Sequence, residues 1–318
     1  MTSVTCADAG FGQTIASRTL AAVVGPTAAG KSDLAVTLAA SLSGEVISVD
    51  SMQIYRGMDI GTAKLTVPQR AGITHHLLDR LDVTEPATVA EFQTWARDAI
   101  DDCLARSVPP VLVGGSALYV RAVLDRFEFP DTDPEVRGRL ESELERDGSV
   151  ALHARLATRD PEAAEVILPT NGRRIVRALE VIELTGGPFT AALPTYEYAY
   201  PAVTQVGVDV PRDVLDDRIS ARVDAMWAAG LVDEVRALER QGLRDGRTAS
   251  RALGYAQVLQ YLAGECTESE ARAATIRATR RFARRQDSWF RKDPRIVWLA
   301  YDAPDLVERA LAAVRSNR

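Results

Sequence analysis

Thr19 to Val24 (Thr-Leu-Ala-Ala-Val-Val) are almost wholly apolar and too few for a helix, so they predict a short buried strand. Gly25 to Ser32 follow as a glycine-bounded loop, and Asp33 to Leu42 predict a helix. Val46 to Val49 form a second apolar run that ends at Asp50. From Val89 to Arg106 the period is helical, with Phe92, Trp95, Ala96, Ala99 and Leu104 on or near one stripe. Pro109-Pro110 stop that helix. Val111 to Val113 then predict another strand, closed by Gly114-Gly115. Strands alternating with helices predict an α/β fold around a parallel sheet.

The rhythm changes after Phe127. Residues 127–199 are helical patches cut by Pro130, Pro134, Pro161, Pro169, Pro188 and Pro194, with no strand pattern until Val203 to Val210. That later strand is expected to return to the sheet. Residues 127–199 are then an inserted helical lobe between the two parts of a core, 19–126 and 200–318. Residues 1–18 are expected to be a disordered tail. Residues 212–293 predict mostly helix, and Ile296 to Leu299 a last strand before a terminal helix.

A chain of 318 residues, 46% hydrophobic and 26% charged, can bury a core without a metal or disulfide staple. Its three cysteines (Cys6, Cys103, Cys266) lie far apart and form no CxxC, so neither a zinc site nor a disulfide framework is expected. No apolar run approaches the roughly 20 residues of a membrane span. The first residues lack the basic start and apolar core of a signal peptide, so a cytoplasmic protein is expected. A net charge of −6 excludes a protein that grips nucleic acid with its whole surface and leaves local patches open. Of the 38 basic residues only Lys31, Lys64 and Lys292 are lysines, so a lysine inside a motif is informative.

Lys31 stands in such a motif. Gly25-Pro26-Thr27-Ala28-Ala29-Gly30-Lys31-Ser32 matches GxxxxGK[ST] in full, after a strand and before a helix, as the motif requires. Backbone N–H groups of such a loop face an anion, and the helix N-terminus adds positive potential. Lys31 supplies a point charge, and the Ser32 hydroxyl can ligate a Mg²⁺ ion that bridges two phosphates. The pattern predicts a bound di- or triphosphate without saying which. Ligands in open parallel sheets sit beyond the carboxyl ends of the strands, which puts Asp50 beside this loop. A carboxylate there can take a proton from a nucleophile or cap a turn. Ser116, after Gly114-Gly115, either faces the same pocket or caps a helix. The strand before it lacks the terminal Asp with which many nucleotide hydrolases hold Mg²⁺. Lys31, Ser32 and Asp50 alone suit a small-molecule P-loop kinase; the intact loop and Asp50 argue against a non-catalytic RNA-binding module.

Basic residues gather in two places. Nine lie between Arg272 and Arg295, against only Asp287 and Asp293. On a helix, Arg277, Arg281, Arg284 and Arg291 fall near one face, with Ile276, Phe282, Trp289 and Phe290 toward others. A basic face backed by aromatics suits an RNA backbone groove. Arg173, Arg174 and Arg177 form the second cluster, beside Asn171. His75-His76 cannot share a helix face and are read as structural, and Trp95, Trp227 and Trp298 as core. Thr62 and Lys64 either line the pocket or cap a turn.

The motifs together form a set. The phosphate loop is followed in order by Ile47-Ser-Val-Asp-Ser-Met-Gln-Ile-Tyr55, Gly57-Met-Asp-Ile-Gly-Thr-Ala-Lys64, His75-His-Leu-Leu-Asp79 and Gly114-Gly-Ser-Ala-Leu-Tyr119. Arg251-Ala-Leu-Gly-Tyr255 and Arg284-Arg-Gln-Asp-Ser-Trp-Phe-Arg291 come later. From about residue 20 to 300 the chain resembles the tRNA isopentenyltransferase family, in its short bacterial form. The resemblance implies a P-loop NTPase-like sheet, and a reaction between dimethylallyl diphosphate and N6 of the adenosine 3′ to the anticodon. It implies Asp50 as general base and Ser116, where the family often has Thr, near the reacting carbon. It implies Arg222 on the diphosphate, and Gly25 to Ser32 holding that diphosphate rather than ATP, with Mg²⁺ on Ser32. Asp50, Ser51, Met52 and Gln53 match the family's adenine-recognition segment. Arg173, Arg174, Arg177, Arg251, Tyr255, Arg284, Arg285, Gln286, Trp289 and Arg291 fall in segments that match its tRNA-contacting ones. The sequence departs from the family pattern at Leu65, where Pro often stands, and at Ala256, where a basic residue often does. No protein partner or membrane is implied, and a monomer is expected. An adenylate isopentenyltransferase, with AMP as acceptor, is the nearest alternative; the inserted lobe and the basic patches disfavour it.

Overall fold

The structure is a computed structural model that describes residues 19–189 and 196–317, so the expected tail at 1–18 lies outside the described residues. Six strands form one sheet: β1 (Leu20–Val24), β2 (Glu45–Ser48), β3 (His75–His76), β4 (Pro110–Gly114), β5 (Val203–Asp209) and β6 (Ile296–Ala300). Their order is β3-β2-β4-β1-β5-β6, and every pairing is parallel. The expected α/β class holds, and the strand from Val203 does return to the sheet, with Ala21 opposite both Val111 and Thr204.

A parallel sheet is covered on both faces, and β1 shows why its sequence is apolar throughout. Leu20, Ala22 and Val24 pack into a core with Tyr55, Phe92 and Ile100. Ala21 and Val23 point the other way, onto Leu34, Leu38 and Ala310. The helices that cover these faces include α1 (Lys31–Leu42), α2 (Val89–Ala105) and α3 (Ala117–Leu124). α1 begins two residues before its apolar period, because Gly30, at φ 93°, stands at its N-cap. α2 is opened by a reciprocal cap between Thr88 and Glu91 and ends before Pro109. β3 gave no sequence signal: two half-buried histidines pair with Val46 and Ile47 and carry no alternation.

The described chain divides into two compact units, Arg126–Glu197 and the rest. In the smaller unit, α4 (Pro134–Arg159, kinked at Gly148), α5 (Pro161–Val166) and α6 (Gly172–Thr185) enclose Leu140, Leu156, Ile175 and Leu179. Glu180 is wholly buried there and is paired with Arg137 at 2.6 Å and Arg177 at 2.9 Å. The larger unit carries α7 (Arg212–Ala228), α8 (Leu231–Glu239), α9 (Tyr255–Leu262), α10 (Glu268–Phe290) and α11 (Leu306–Ser316). The turns after β1, β2 and β4 all leave from the carboxyl edge of the sheet, which brings the phosphate loop, Asp50 and Ser116 to one end.

Candidate active site

One cavity in the larger unit is lined by Thr27, Asp50, Ser116 and Arg222, with Thr62 and Arg251 on its rim. The three sheet turns supply the first three of these. α7 supplies Arg222 from the face that also carries Ile219, Val223 and Met226, residues one helical turn apart. Phe282, Arg285 and Gln286 of α10 line another wall.

Lys31 lies at the start of α1, and its Nζ donates to the Pro26 carbonyl at 2.6 Å. Burial draws its pKa down from 10.5 to about 7; the Arg222 charge pushes the same way and Asp50 opposes both. Burial also draws the Arg222 guanidinium down, with Asp50 and Asp33 working against it. Lys31 and Arg222 thus repel each other, with Asp50 acting on both and Asp33 on Arg222 as the opposing charges. Such a site is short of negative charge, which an oligophosphate supplies.

Asp50 caps a turn and keeps one carboxylate oxygen open. Its Oδ1 accepts from the Met52 N–H at 2.8 Å and the Gln53 N–H at 3.4 Å, a turn that fixes the carboxyl. Oδ2 accepts no hydrogen bond among the described residues, so a lone pair remains for a proton. Ser116 stands at the N-cap of α3 but makes no capping bond, which leaves its hydroxyl on the cavity. Ser51 and Met52 line the cavity as well. Gln53 does not: its Oε1 accepts from Ser48 Oγ at 2.8 Å and its Nε2 donates to the Thr62 carbonyl at 3.1 Å. Ser32 also lies apart, on a small adjoining cavity with Ser48, Gln53 and His75.

The basic residues divide. Arg251 and Arg285 are exposed and on the cavity, and Arg284 is exposed. Trp289 is 44% exposed, with Lys292 5.7 Å from its ring. Arg291 turns back onto the protein, paired with Asp209 and Asp287 and 3.8 Å from the Trp298 ring. Within the smaller unit Arg173 and Arg174 are exposed. Arg177 instead binds the Pro130 carbonyl at 2.6 Å and buried Glu180, so it ties that unit together.

The assignment of Tyr255 as a tRNA contact needs correction. Tyr255 is wholly buried, and its hydroxyl donates to Glu234 at 2.5 Å. The Glu234 carboxylate also accepts from the N–H groups of Asp59, Ile60 and Gly61, at 3.1, 2.7 and 3.2 Å. Gly61 is glycine because a Cβ there would sit 2.6 Å from Tyr255 Cζ. This pair therefore holds the loop that presents Thr62 to the cavity. Lys64 is buried below it, bonded to the Tyr55 carbonyl, Asp59 and Asp79. Glu234 escaped sequence reading because it looks like any acid on an amphipathic helix.

At the opposite edge of the sheet, β2, β3 and α2 bring together Glu45, His76 and Cys103, a gathering that linear spacing did not show. Arg106 closes on both Glu45 oxygens at 2.9 and 2.7 Å and, with His76 at 2.7 Å, holds that carboxyl down to about 2. Burial and the same carboxylate push the Cys103 thiol up to about 12. The carboxylate's charge is already met by the guanidinium, so the network works as a structural tie between β2, β3 and α2.

A phosphate loop, a carboxylate and a hydroxyl at the carboxyl edge of a parallel sheet define a phosphate-binding α/β enzyme site. Residues 53–293 match the family model for IPP transferase. The chain is 67% identical over 301 residues to a tRNA dimethylallyltransferase of Thermobifida fusca, covering 93% of this chain and 94% of that one. It is 69% identical over 287 residues to one of Streptomyces avermitilis, covering 90% and 92%. Among solved structures, a tRNA isopentenylpyrophosphate transferase of Bacillus halodurans superposes with a TM-score of 0.72 at 41% identity, covering 94% of this chain and 96% of that one. A eukaryotic dimethylallyltransferase solved acting on tRNA shares the fold, with a TM-score of 0.81 at 24% identity, covering 95% and 80%. The chain belongs to the IPP transferase family.

Proposed function

We propose that the chain transfers a dimethylallyl group from dimethylallyl diphosphate to N6 of the adenosine 3′ to the anticodon (A37) of tRNAs reading codons that begin with U. Diphosphate is released. The observation that carries this reading is one cavity lined by Thr27 of the phosphate loop, Arg222 and Asp50, with Lys31 of the same loop near enough to feel the charges of Arg222 and Asp50. The names of the relatives agree with it.

In this reading the amine lone pair of N6 forms a bond to C1 of the donor while the C1–O bond to diphosphate breaks. Asp50 Oδ2 takes the proton that N6 loses, which contributes about 10²–10⁴ in rate. Negative charge grows on the leaving oxygens, and the loop amides, Lys31 and Arg222 are placed before the reaction to meet it. Ser116 offers a hydroxyl to the bridging oxygen. The target base must leave its stack to enter the cavity, at a cost of a few kcal/mol. Met52 and Phe282 offer it apolar contact. Gln53 holds Thr62 and the floor of the site instead of reaching into it.

Ser32 offers a hydroxyl oxygen, a hard donor of the kind Mg²⁺ takes, and would hold the ion together with the substrate's own phosphates. When bound, the ion neutralises charge on the diphosphate. The thiol and imidazole of the Glu45 cluster suit it poorly. Exposed Arg251, Arg284 and Arg285, with Arg173 and Arg174 of the lobe at 127–199, are proposed to meet tRNA phosphates. A monomer in the cytoplasm is proposed, as expected from the sequence; no described helix is long and apolar enough to cross a membrane.

The test is diphosphate release from dimethylallyl diphosphate and unmodified anticodon stem-loop RNA. Release that requires both substrates supports the reading. Release with AMP in place of RNA, or ATP consumption with a small acceptor, would replace it by one of the two alternatives.

A further inference from the structure

Gln286 falls in a segment matched to tRNA contact, yet it is buried and both ends of its amide are used by the protein. Its Oε1 accepts from the Thr27 N–H of the phosphate loop at 2.9 Å. Its Nε2 donates to the Gly115 carbonyl at 2.7 Å, one residue before Ser116. Only one orientation of the amide satisfies a donor on one side and an acceptor on the other, so the two bonds fix each other. A carboxylate cannot donate to Gly115, and asparagine is one methylene too short to reach both partners. The backbone has made room for this bridge: a Cβ on Gly115 would sit 2.6 Å from Gln286 Nε2.

Three elements from distant parts of the chain meet at this amide: the β1–α1 loop, the β4–α3 turn and α10. The first cradles the proposed diphosphate and the second carries Ser116. The third carries exposed Arg281, Arg284 and Arg285 on the turns around Gln286. Lys31 holds the loop from inside through the Pro26 carbonyl, and Gln286 holds the next residue from outside. We infer that Gln286 is a positioning residue. It sets the separation between the phosphate loop and Ser116, and it ties the donor cradle to the helix that presents arginines to RNA. The inference rests on the function proposed above.

Gln286→Glu keeps the size and removes the donor. It is expected to raise KM for dimethylallyl diphosphate about tenfold, with a fall in kcat and tRNA affinity within about twofold of wild type. Gly115→Ala attacks the same bridge from the other side and is expected to give the same pattern. The double variant is expected to be little worse than either single one, because both break one unit. Thermal unfolding read alongside shows whether the variants fold. Unchanged donor KM with weakened tRNA binding would make Gln286 an RNA contact and overturn the inference. So would losses that multiply in the double variant, or a drop in active fraction with KM unchanged. A wild-type protein that forms no prenylated RNA would instead overturn the proposed function.

Discussion

Raising the pH is expected to loosen the grip of the phosphate loop on its donor, through Lys31. Burial and the Arg222 charge hold this lysine at about 7 in the empty site. A bound diphosphate places negative charge against it, and the complex keeps Lys31 protonated well above that value. The empty site is then about half charged at pH 7, about one-tenth at pH 8 and about one-hundredth at pH 9. Binding must restore the missing proton, so the dissociation constant should rise about fifty-fold from pH 7 to pH 9. The ligand's own second phosphate ionisation, near 6, lies below this window. The assay is calorimetry of dimethylallyl diphosphate, without RNA and at fixed Mg²⁺, in two buffers of different ionisation heat. Proton uptake should approach one per donor bound at the upper end. Lys31→Arg, charged throughout, should flatten both the affinity and the uptake. Constant affinity in the native protein, with no proton uptake, would refute the reasoning. The stability of the ligand-free protein moves in the opposite direction to donor affinity. The native pKa lies below the unfolded one, so the unfolded chain binds more protons between about 7 and 10.5. The empty protein should therefore gain stability across that window, and Lys31→Met should lose the gain.

Asp50→Ala is expected to cut turnover by about 10²–10⁴ while tRNA binding persists, read by single-turnover kinetics against filter binding; an unchanged rate would remove Asp50 as the base. If about five phosphates are neutralised by the exposed arginines, log affinity for tRNA should fall against log salt with a slope near −4. A slope near zero would deny the patches. Gly61→Ala should cost about 1–3 kcal/mol in urea unfolding, because the new methyl enters the Tyr255 ring. A neutral result would mean that the ring yields freely.

Much of the sheet was legible because β1, β2 and β4 are buried on both faces and therefore read as apolar runs between turn residues. β3 was not, since two half-buried histidines hold their place through pairing with Val46 and Ile47. The phosphate loop was legible because its backbone conformation demands particular residues at fixed spacing. Asp50, Ser116 and Arg222 reach one cavity, yet nothing in the local sequence says which Asp50 oxygen stays open. Side chains that act through other side chains were the hardest to read. Tyr255, Glu234 and Gln286 carry types that suit RNA contact or a solvated face, and only the fold shows each bonded inward. Arg177 and Arg291 likewise match basic patches in sequence while neutralising Glu180 and Asp209 in space.

The most direct measurement is mass spectrometry of the RNA itself. Unmodified tRNA is incubated with the protein, Mg²⁺ and dimethylallyl diphosphate, then digested and mapped by position. One five-carbon addition, on the base of A37 alone and matched mole for mole by diphosphate, is the result this account predicts. An unaltered anticodon arm beside ATP turned over at Lys31 would contradict it.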